Sequence, residues 1–170
     1  MNKVKVRVFN KSKNDLPEYA KVGDAGFDFK ADFTYKNIST DFIGDGFRFN
    51  SDTRKLRVLG NGGRVLVPTG IFIELPDGYE LQVRPRSGLA LKFGISMVNT
   101  PATIDFGYTG EIGIIIINTG KTDFEITEGD RIAQGVLKRV EQVQWEEVLS
   151  VDEFNGSERG TGGFGHSGKK

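Results

Sequence analysis

Residues 71–85 read IFIELPDGYELQVRP, and this stretch decides the fold class. Apolar and other side chains alternate across residues 71–75, which is the two-residue period of a half-buried β-strand. Residues 76–78, Pro-Asp-Gly, are typical turn residues, and the alternation resumes at Tyr79. The stretch therefore predicts two short strands joined by a tight turn.

The same period extends in both directions along the chain. Alternation over residues 4–8 predicts a half-buried first strand. The run Ile112–Ile117 is apolar on both faces, which predicts a central, buried strand. The pattern returns at Phe124 and then continues from Ile132 to about Val151.

Helical signals are confined to residues 87–93, SGLALKF, where Ser87 could cap the helix and Gly94 could end it. Short strands at regular spacing, 23 glycines and almost no helix indicate an all-β fold. We therefore expect a β-sandwich or a distorted jelly roll with one short helix.

Two segments interrupt this rhythm. Residues 32–63 are rich in Phe, Asp, Asn and Gly, and they predict an inserted segment that bears a hairpin and exposes aromatic side chains. From residue 155 onward the chain is rich in glycine and is not expected to fold alone. The expected organisation is one β domain over residues 1–154 and a flexible arm over residues 155–170.

Composition excludes several functional classes. The chain has 170 residues, enough for one domain with a core, and 23 basic residues balance 23 acidic ones. A zero net charge argues against binding of duplex DNA or an anionic membrane. The absence of cysteine excludes disulfides and thiolate metal sites, and no apolar run reaches membrane-spanning length. The first residues alternate like a strand and not like a signal peptide, so we expect a soluble cytoplasmic protein.

Residues 24–28, Asp-Ala-Gly-Phe-Asp, place two acids around a glycine ahead of a strand. One interpretation is an acid beside a hydrated Mg²⁺, because this ion prefers oxygen ligands and keeps several waters. The alternative is a turn in which the Asp side chains bind backbone N–H groups.

Residues 84–88, Arg-Pro-Arg-Ser-Gly, lie at the predicted start of the helix. Unpaired N–H groups and the positive end of the helix dipole would combine there with Arg86 and Ser87 to bind phosphate. The alternative is an ordinary helix start with a solvated arginine.

Residues 99–111, NTPATIDFGYTGE, form a turn-rich hairpin between apolar strands. A carboxylate at Asp105 beside a phosphate ester could take a proton from water as a general base. Tyr108 offers a flat ring on which a sugar could pack. Taken singly, a turn aspartate and a half-buried tyrosine would explain the same pattern.

Residues 129–134, GDRIAQ, carry polar side chains into an apolar strand. Gln134 could donate to a phosphate oxygen, or it could lie at a strand edge or subunit interface. We interpret Arg131 as an interface ion-pair residue.

Residues 159–168, RGTGGFGHSG, lie two residues before the end of the printed sequence. Their glycines would let backbone N–H groups surround phosphates, Arg159 could bind phosphate with two hydrogen bonds, and Phe164 could stack on a base. His166 is the one histidine in the sequence, so a histidine-based metal site is excluded and a place beside a phosphate or in solvent is expected.

Together, the five segments resemble the five motifs of the trimeric dUTPase family, in that family's order. The matching stretches are DAGFDFKA (24–31), RPRSGLA (84–90), NTPATIDFGYTGE (99–111), GDRIAQ (129–134) and RGTGGFGHSG (159–168). The resemblance covers the whole chain except residues 32–63. It implies a homotrimer that hydrolyses dUTP to dUMP and pyrophosphate with Mg²⁺.

The resemblance implies two catalytic carboxylates. Asp105 resembles the general base that activates the water attacking the α-phosphorus. Asp28 resembles the acid that positions this water or the hydration shell of a Mg²⁺ held mainly by the triphosphate.

The resemblance also implies the residues that bind substrate. Phosphate contacts correspond to the helix start and Gln134, the ring under deoxyribose to Tyr108, and the uracil-reading segment to residues around Asn99. The arm is expected to close over base and phosphates from a neighbouring subunit. The full implied set is Arg86, Ser87, Gly88, Asn99, Thr103, Ile104, Tyr108, Gln134, Arg159, Gly162, Gly163, Phe164, Gly165, His166 and Ser167.

Three features depart from the family pattern. Ala102 stands near a position usually held by glycine, and His166 replaces a small hydroxyl residue. Residues 32–63 resemble the extra segment of staphylococcal phage dUTPases, some of which also bind and inactivate a repressor protein. This likeness raises a protein-binding role through residues 32–63 as one alternative. A dCTP deaminase-related enzyme, which shares the fold, is the other.

Overall fold

The computed structural model describes residues 3–34, 43–157 and 160–162. These residues form thirteen β-strands, one α-helix and one short 3-10 helix, so the all-β prediction is confirmed. The elements are β1 (Arg7–Asn10), β2 (Phe27–Lys30), β3 (Gly44–Asp45), β4 (Phe47–Asn50), β5 (Lys55–Val58), β6 (Gly63–Val67), β7 (Ile71–Glu74), β8 (Tyr79–Pro85), α1 (Ser87–Phe93), β9 (Ile95–Met97), β10 (Ala102–Ile104), β11 (Ile114–Asn118), β12 (Phe124–Thr127), β13 (Arg131–Arg139) and the 3-10 helix Val151–Glu153.

Antiparallel pairing arranges the strands into four sheets. Their strand orders are β1-β7, β10-β8-β13-β2, β3-β6-β11-β9 and β12-β5-β4. Buried Phe, Leu, Ile and Val side chains from these sheets form one core cluster. Because alternate residues of each strand face this core, the polar residues between them are presented outward.

The two strands predicted from residues 71–85 are present as β7 and β8. The apolar run is also confirmed as a central strand, because β11 lies between β6 and β9. Its Ile114 and Ile116 are fully buried, whereas Ile115 and Ile117 on the other face are only partly buried.

Two predicted strand boundaries were wrong. The first strand begins at Arg7, after Val4 and Val6. The last strand ends at Arg139, well before Val151. Arg139 is paired with Tyr79, the first residue of β8, so the partner strand ends there and the ladder cannot continue.

The segment 32–63 contains the predicted hairpin, formed by β4 and β5. It is not a peripheral addition, because Leu56 and Val58 are fully buried and β5 also pairs with β12. Phe33 is buried as well and packs edge-on against the partly buried Phe49. The expectation of exposed aromatic side chains is therefore wrong for these residues, because the core needs their apolar surface.

The helix has the predicted span but a different start. Arg86 occupies the N-cap position in an extended conformation and makes no side-chain cap bond, so Ser87 is the first helical residue and not the cap. Gly94 ends the helix in the left-handed region at φ 70°, as predicted, and donates its N–H to the Ala90 carbonyl.

The chain divides into two compact units, residues 1–140 and residues 141–170. The first contains all the strands. Within the second, Ser150 and Glu153 form a capping box around the 3-10 helix, which satisfies N–H groups at its start. No helix among the described residues is long and apolar enough to cross a membrane.

Candidate functional site

A cluster of three charged side chains lies where β2, β13 and the start of α1 meet. Asp28 accepts a hydrogen bond from Arg86 Nε at 2.9 Å and faces Arg131 Nη1 at 3.3 Å. Arg86 also donates to the Arg131 carbonyl at 3.1 Å. The Asp28 side chain is 25% exposed, so this cluster is partly shielded from water but open to a ligand.

Strand register brings these groups together. Gln134 of β13 is paired with Asp28 on one side and with Arg84 of β8 on the other. Arg86 follows two residues after Arg84, where the chain turns from β8 into the helix. The first, second and fourth sequence motifs therefore meet within one chain.

Close packing holds Gln134 in place. Its Nε2 donates to the Pro85 carbonyl at 2.9 Å. Its Oε1 lies 2.8 Å from where a Cβ at position 26 would stand, so only glycine fits there without displacing the amide. The glycine of the first motif thus positions a side chain of the fourth.

A cavity of about 340 Å³ opens over this cluster. Its charged lining is one carboxylate and two cations, Arg86 and Lys92, and Arg131 lies beside it on Asp28. The local excess of positive charge suits an anion. The lining residues are Asp28, Arg86, Ser87, Gly88, Leu89, Lys92, Phe93 and Gln134.

The structure gives partners to residues that the sequence left open and adds two residues to the site. Arg131, interpreted as an interface ion-pair residue, pairs with Asp28 of its own chain, and its interface role stays a prediction. Asp24 accepts a hydrogen bond from the Lys21 N–H, which is the turn role given as the alternative. Lys92 and Phe93 were not predicted, although their spacing of four residues from Gly88 and Leu89 places them on one helix face.

Residues 99–111 form a second, separate region. Asp105 comes directly after β10, and its carbonyl accepts a hydrogen bond from the Tyr108 N–H across a turn. The Asp105 side chain is exposed and, in the part of the chain that the structure describes, makes no hydrogen bond or ion pair. Its carboxylate is thus available to a ligand.

Tyr108 is anchored at the edge of this region. Its hydroxyl donates to the Glu111 carbonyl at 2.8 Å, and its ring lies across Gly110, where a Cβ would approach the hydroxyl oxygen to 2.5 Å. The ring is 45% exposed, so one surface is open to a ligand. Nearby, Asn99 and Thr103 are exposed and Ile104 is partly buried.

The two regions lie at opposite edges of one sheet. In the order β10-β8-β13-β2, Asp28 is on one edge strand and Asp105 follows the other. Three strand spacings separate these edges, a distance of about 14 Å. One chain therefore does not bring Asp105 to the Asp28 cluster.

The fifth motif falls largely outside the described residues. This applies to Arg159, Gly163, Phe164, Gly165, His166 and Ser167. Gly162 is described and partly buried, two residues after a turn in which the Gly160 N–H bonds the Ser157 carbonyl. Across the described residues, no group of three or more acidic or histidine side chains could hold a metal ion.

Comparisons with known sequences agree on one family. The dUTPase family model matches residues 52–168. A deoxyuridine 5'-triphosphate nucleotidohydrolase of Finegoldia magna is 41% identical over 165 residues, covering 97% of this chain and 99% of the relative. The enzyme of the same name from Caulobacter vibrioides is 44% identical over 153 residues, covering 90% and 85%.

Solved structures show the same fold at lower identity. The dUTPase of Staphylococcus bacteriophage 80alpha with dUpNHpp superposes with a TM-score of 0.72 at 23% identity, covering 96% of this chain and 98% of that one. A mutant dUTPase of phage phi11 of S. aureus, in which a structural Mg(II) ion is coordinated, gives 0.64 at 20% identity, covering 86% and 98%. The bacterial relatives are thus closer in sequence than these phage enzymes.

Proposed function

Because this chain belongs to the dUTPase family, we propose that it hydrolyses dUTP to dUMP and pyrophosphate. The observation that carries this proposal is the cavity over Asp28, where Arg86, Gln134 and the helix start present donors and positive charge. Such a cavity suits a polyphosphate, and phosphoryl chemistry needs positioning and charge stabilisation more than a covalent partner.

We propose that the active site is completed by other copies of the chain in a homotrimer. Asp105 and Asp28 occupy opposite edges of one sheet, so a substrate in the Asp28 cavity cannot reach the Asp105 of the same chain. Asp105 of a neighbouring copy can reach it if the 99–111 hairpin docks beside that cavity. Around a closed three-fold axis, each copy then gives one region and receives the other.

In the proposed reaction, Asp105 takes a proton from a water molecule while the water oxygen attacks the α-phosphorus. The new bond joins the water oxygen to the α-phosphorus, and the bond from that phosphorus to the bridging oxygen breaks. Pyrophosphate leaves with the electron pair. Arg86 and Gln134 hold phosphate oxygens in line, which lowers the barrier through positioning.

The residues present fit a Mg²⁺ that arrives on the triphosphate. Both Asp28 oxygens face guanidinium groups, so the protein offers an anion-binding cavity in place of a ligand cage. Bound to the phosphates, the ion would offset negative charge as the reaction proceeds. Asp28 would contact the water molecules of the ion's hydration shell.

Specificity is proposed to come from the exposed hairpin. Backbone groups near Asn99, Thr103 and Ile104 would match the donor and acceptor pattern of uracil, leaving polar groups unpaired with cytosine. The Tyr108 ring, fixed by Glu111, would block a 2'-hydroxyl. The arm around Phe164 would then cover the base and exclude water.

Pyrophosphate release measured across dUTP, dCTP, dTTP and UTP, with and without Mg²⁺, tests the activity. We expect release from dUTP alone and only with the metal. Ammonia release from dCTP would favour the deaminase alternative. Sedimentation of the purified protein tests the assembly, and a stable monomer that hydrolyses dUTP would contradict the shared site.

We propose a second role in binding a protein partner, such as a repressor, through the β12-β5-β4 sheet. Arg48 and Arg57 lie directly opposite one another on its outer face, with Lys55 beside them, and Glu125 is the carboxylate among them. Like charges in such a pair disfavour the sheet, and an acidic partner would offset that cost.

Deleting residues 36–60 would remove the buried Leu56 and Val58, so charge reversal is the better test of this role. The double variant Arg48→Glu, Arg57→Glu should keep dUTP turnover and weaken binding of a purified candidate repressor by at least about tenfold. Calorimetry that shows unchanged affinity would reject the role.

A further inference from the structure

Two carboxyl groups outside the active-site cavity lie at one end of the β2–β13 pair, one of them fully buried and the other partly buried. Asp32 follows β2 and is fully buried. Its Oδ1 accepts hydrogen bonds from the Thr34 N–H and hydroxyl at 3.2 and 2.7 Å. Among the described residues, its Oδ2 has no hydrogen-bond partner. A buried acceptor left in this way is costly, so a hydrogen-bond donor beside it is implied.

The second carboxyl is Glu128, in the turn that leads into β13. Its Oε2 accepts the Phe33 N–H at 2.8 Å and lies 3.5 Å from Arg54 Nη2. Its Oε1 is buried and, like the Asp32 oxygen, has no hydrogen-bond partner among the described residues. Because Glu128 accepts from Phe33, the residue directly after Asp32, the two carboxyl groups are neighbours.

Charge balance favours one proton on this pair. Burial, followed by the Asp32 contact, raises the pKa of Glu128 above its ordinary value, and the Phe33 N–H and Arg54 only partly oppose this. Two ionised carboxylates beside one guanidinium would leave a net negative charge on a cluster in which Asp32 is fully buried and Glu128 partly buried. One proton makes the three groups neutral, and a metal ion in its place would be repelled by Arg54.

We propose that Glu128 is protonated and donates its proton to Asp32, and that this shared proton positions the strand pair carrying Asp28 and Gln134. The backbone around the pair supports this role. Ala31 N–H bonds the Asp130 carbonyl at 2.8 Å, and Gly129 N–H bonds the Ala31 carbonyl at 2.9 Å. Between these bonds and Gln134 the pairing of β2 with β13 is irregular, because the register shifts between Arg131 and Ala133. The acid pair therefore fixes the end of the strand pair that the irregular hydrogen bonding leaves weak.

Arg54 extends this connection to the β4–β5 hairpin. It stands in the hairpin's turn with φ 51°, a left-handed conformation that is unfavourable for arginine. Its guanidinium reaches Glu128, so the hairpin and the active-site strands meet at one carboxyl. Glu128 and Asp32 are therefore positioning residues, since neither lines the cavity.

The proposal predicts the direction of a pH effect. A carboxyl whose pKa is higher in the folded state contributes its full stability below the unfolded-state pKa and loses it as pH rises through the folded-state pKa. Among the described residues, the charges that face Glu128 are Asp32 and Arg54. The adjacent Asp130 is bonded to the Thr127 N–H and hydroxyl. The wild-type chain should thus become easier to unfold as pH rises above the acidic range.

Glu128→Gln is the decisive variant, because its amide donates to Asp32 at every pH while its oxygen still accepts from Phe33. Urea unfolding midpoints should be recorded from mildly acidic to mildly alkaline pH, so that a raised pKa of Glu128 falls within the series. We expect the wild-type midpoint to fall with pH and the Gln variant to lack that fall. Glu18→Gln, an exposed glutamate of the same unit, is the matched control and should follow the wild type.

Steady-state kinetics test whether Glu128 positions the active-site strands, and this test rests on the proposed dUTP hydrolysis. Glu128→Ala should lower kcat/KM by about 10- to 100-fold, as small misplacements of reacting groups do, and Glu128→Gln should restore it. If the Gln variant unfolds with the same pH slope as the wild type, the shared proton is wrong. If unfolding behaves as expected but Glu128→Ala keeps full kcat/KM, the positioning role is wrong. Absence of any dUTP turnover in the wild type would contradict the proposed function alone.

Discussion

The cavity over Asp28 and the hairpin bearing Asp105 are built in opposite ways. In the cavity, Asp28 is already held by two arginines, and Gln134 is held by a carbonyl and a glycine. In the hairpin, the carboxylate of Asp105 is exposed and makes no hydrogen bond or ion pair in the described part of the chain. One region is pre-organised within a single chain, and the other lacks its surroundings.

This difference agrees with the separate roles proposed for the two regions, substrate binding and proton acceptance. Groups that bind a charged substrate benefit from being fixed in advance, because no ordering cost remains at the moment of binding. A group that must accept a proton benefits from having no competing cation beside it. A substitution can test either region. We expect changes in the hairpin to lower kcat and changes in the cavity to weaken dUTP binding.

The largest effect is expected from Asp105→Asn. Loss of the general base should lower kcat by about 10²- to 10⁴-fold while dUTP affinity stays within a few-fold, since the base acts in the transition state. Steady-state pyrophosphate release and calorimetry with a non-hydrolysable analogue measure the two quantities. Asp77→Asn, an exposed aspartate in the β7–β8 turn, is the control and should behave like the wild type. Near-normal turnover in Asp105→Asn would contradict its role.

The next experiment joins the two regions across chains. Asp105→Asn and Arg86→Ala, assayed at a low dUTP concentration at which both turn over slowly, should recover a sizeable part of wild-type turnover when co-expressed, because some sites would take an intact region from each chain. Turnover of the mixture should be compared with that of each variant treated alone. No recovery in a mixed oligomer would show that one chain supplies both regions.

A smaller effect is expected within the cavity. Arg86→Ala should weaken dUTP binding by about 10- to 100-fold, the worth of a hydrogen bond to a charged group. Arg86→Lys should recover only part of this, because an ammonium cannot reproduce the planar fork of donors. Titration of the analogue gives the affinities, and equal binding by the Lys variant and the wild type would show that charge alone matters.

The smallest effect is expected from Tyr108→Phe. It removes the hydroxyl bond to Glu111 and should lower the free energy of unfolding by about 1 kcal/mol or less. Selectivity for dUTP over UTP should be kept, because the ring remains. Tyr108→Ala should lose that selectivity. The ratio of kcat/KM for the two nucleotides measures the difference, and an unchanged ratio in the Ala variant would exclude the ring from sugar discrimination.

Periodicity carried most of the fold prediction. The alternation across residues 71–85 predicted β7 and β8, and the apolar run predicted the central position of β11. The end of β13 was not predictable, because strand length depends on the partner, and β8 begins opposite Arg139. Apolar residues beyond Arg139 keep the alternating pattern of a strand, but β8 does not extend far enough to pair with them.

The candidate site was predictable in its residue types and less so in its partners. The motifs placed Asp28, Arg86 and Gln134 near phosphate, and the structure brings the three together. The Arg131–Asp28 pair and the Asp32–Glu128 pair were not predicted, because both join residues about a hundred positions apart. Sequence patterns report which side a residue faces, whereas such contacts depend on how the sheets meet.

Trp145 has a practical consequence for anyone measuring the stability of this protein. It is the sole tryptophan of the chain, it is 88% exposed, and it belongs to the unit formed by residues 141–170. Because this indole is already solvated in the folded chain, its emission should change little on denaturation, so tryptophan fluorescence is a weak probe of unfolding here. Far-ultraviolet circular dichroism, which reports the strands of residues 1–140, is the better signal for the urea experiments.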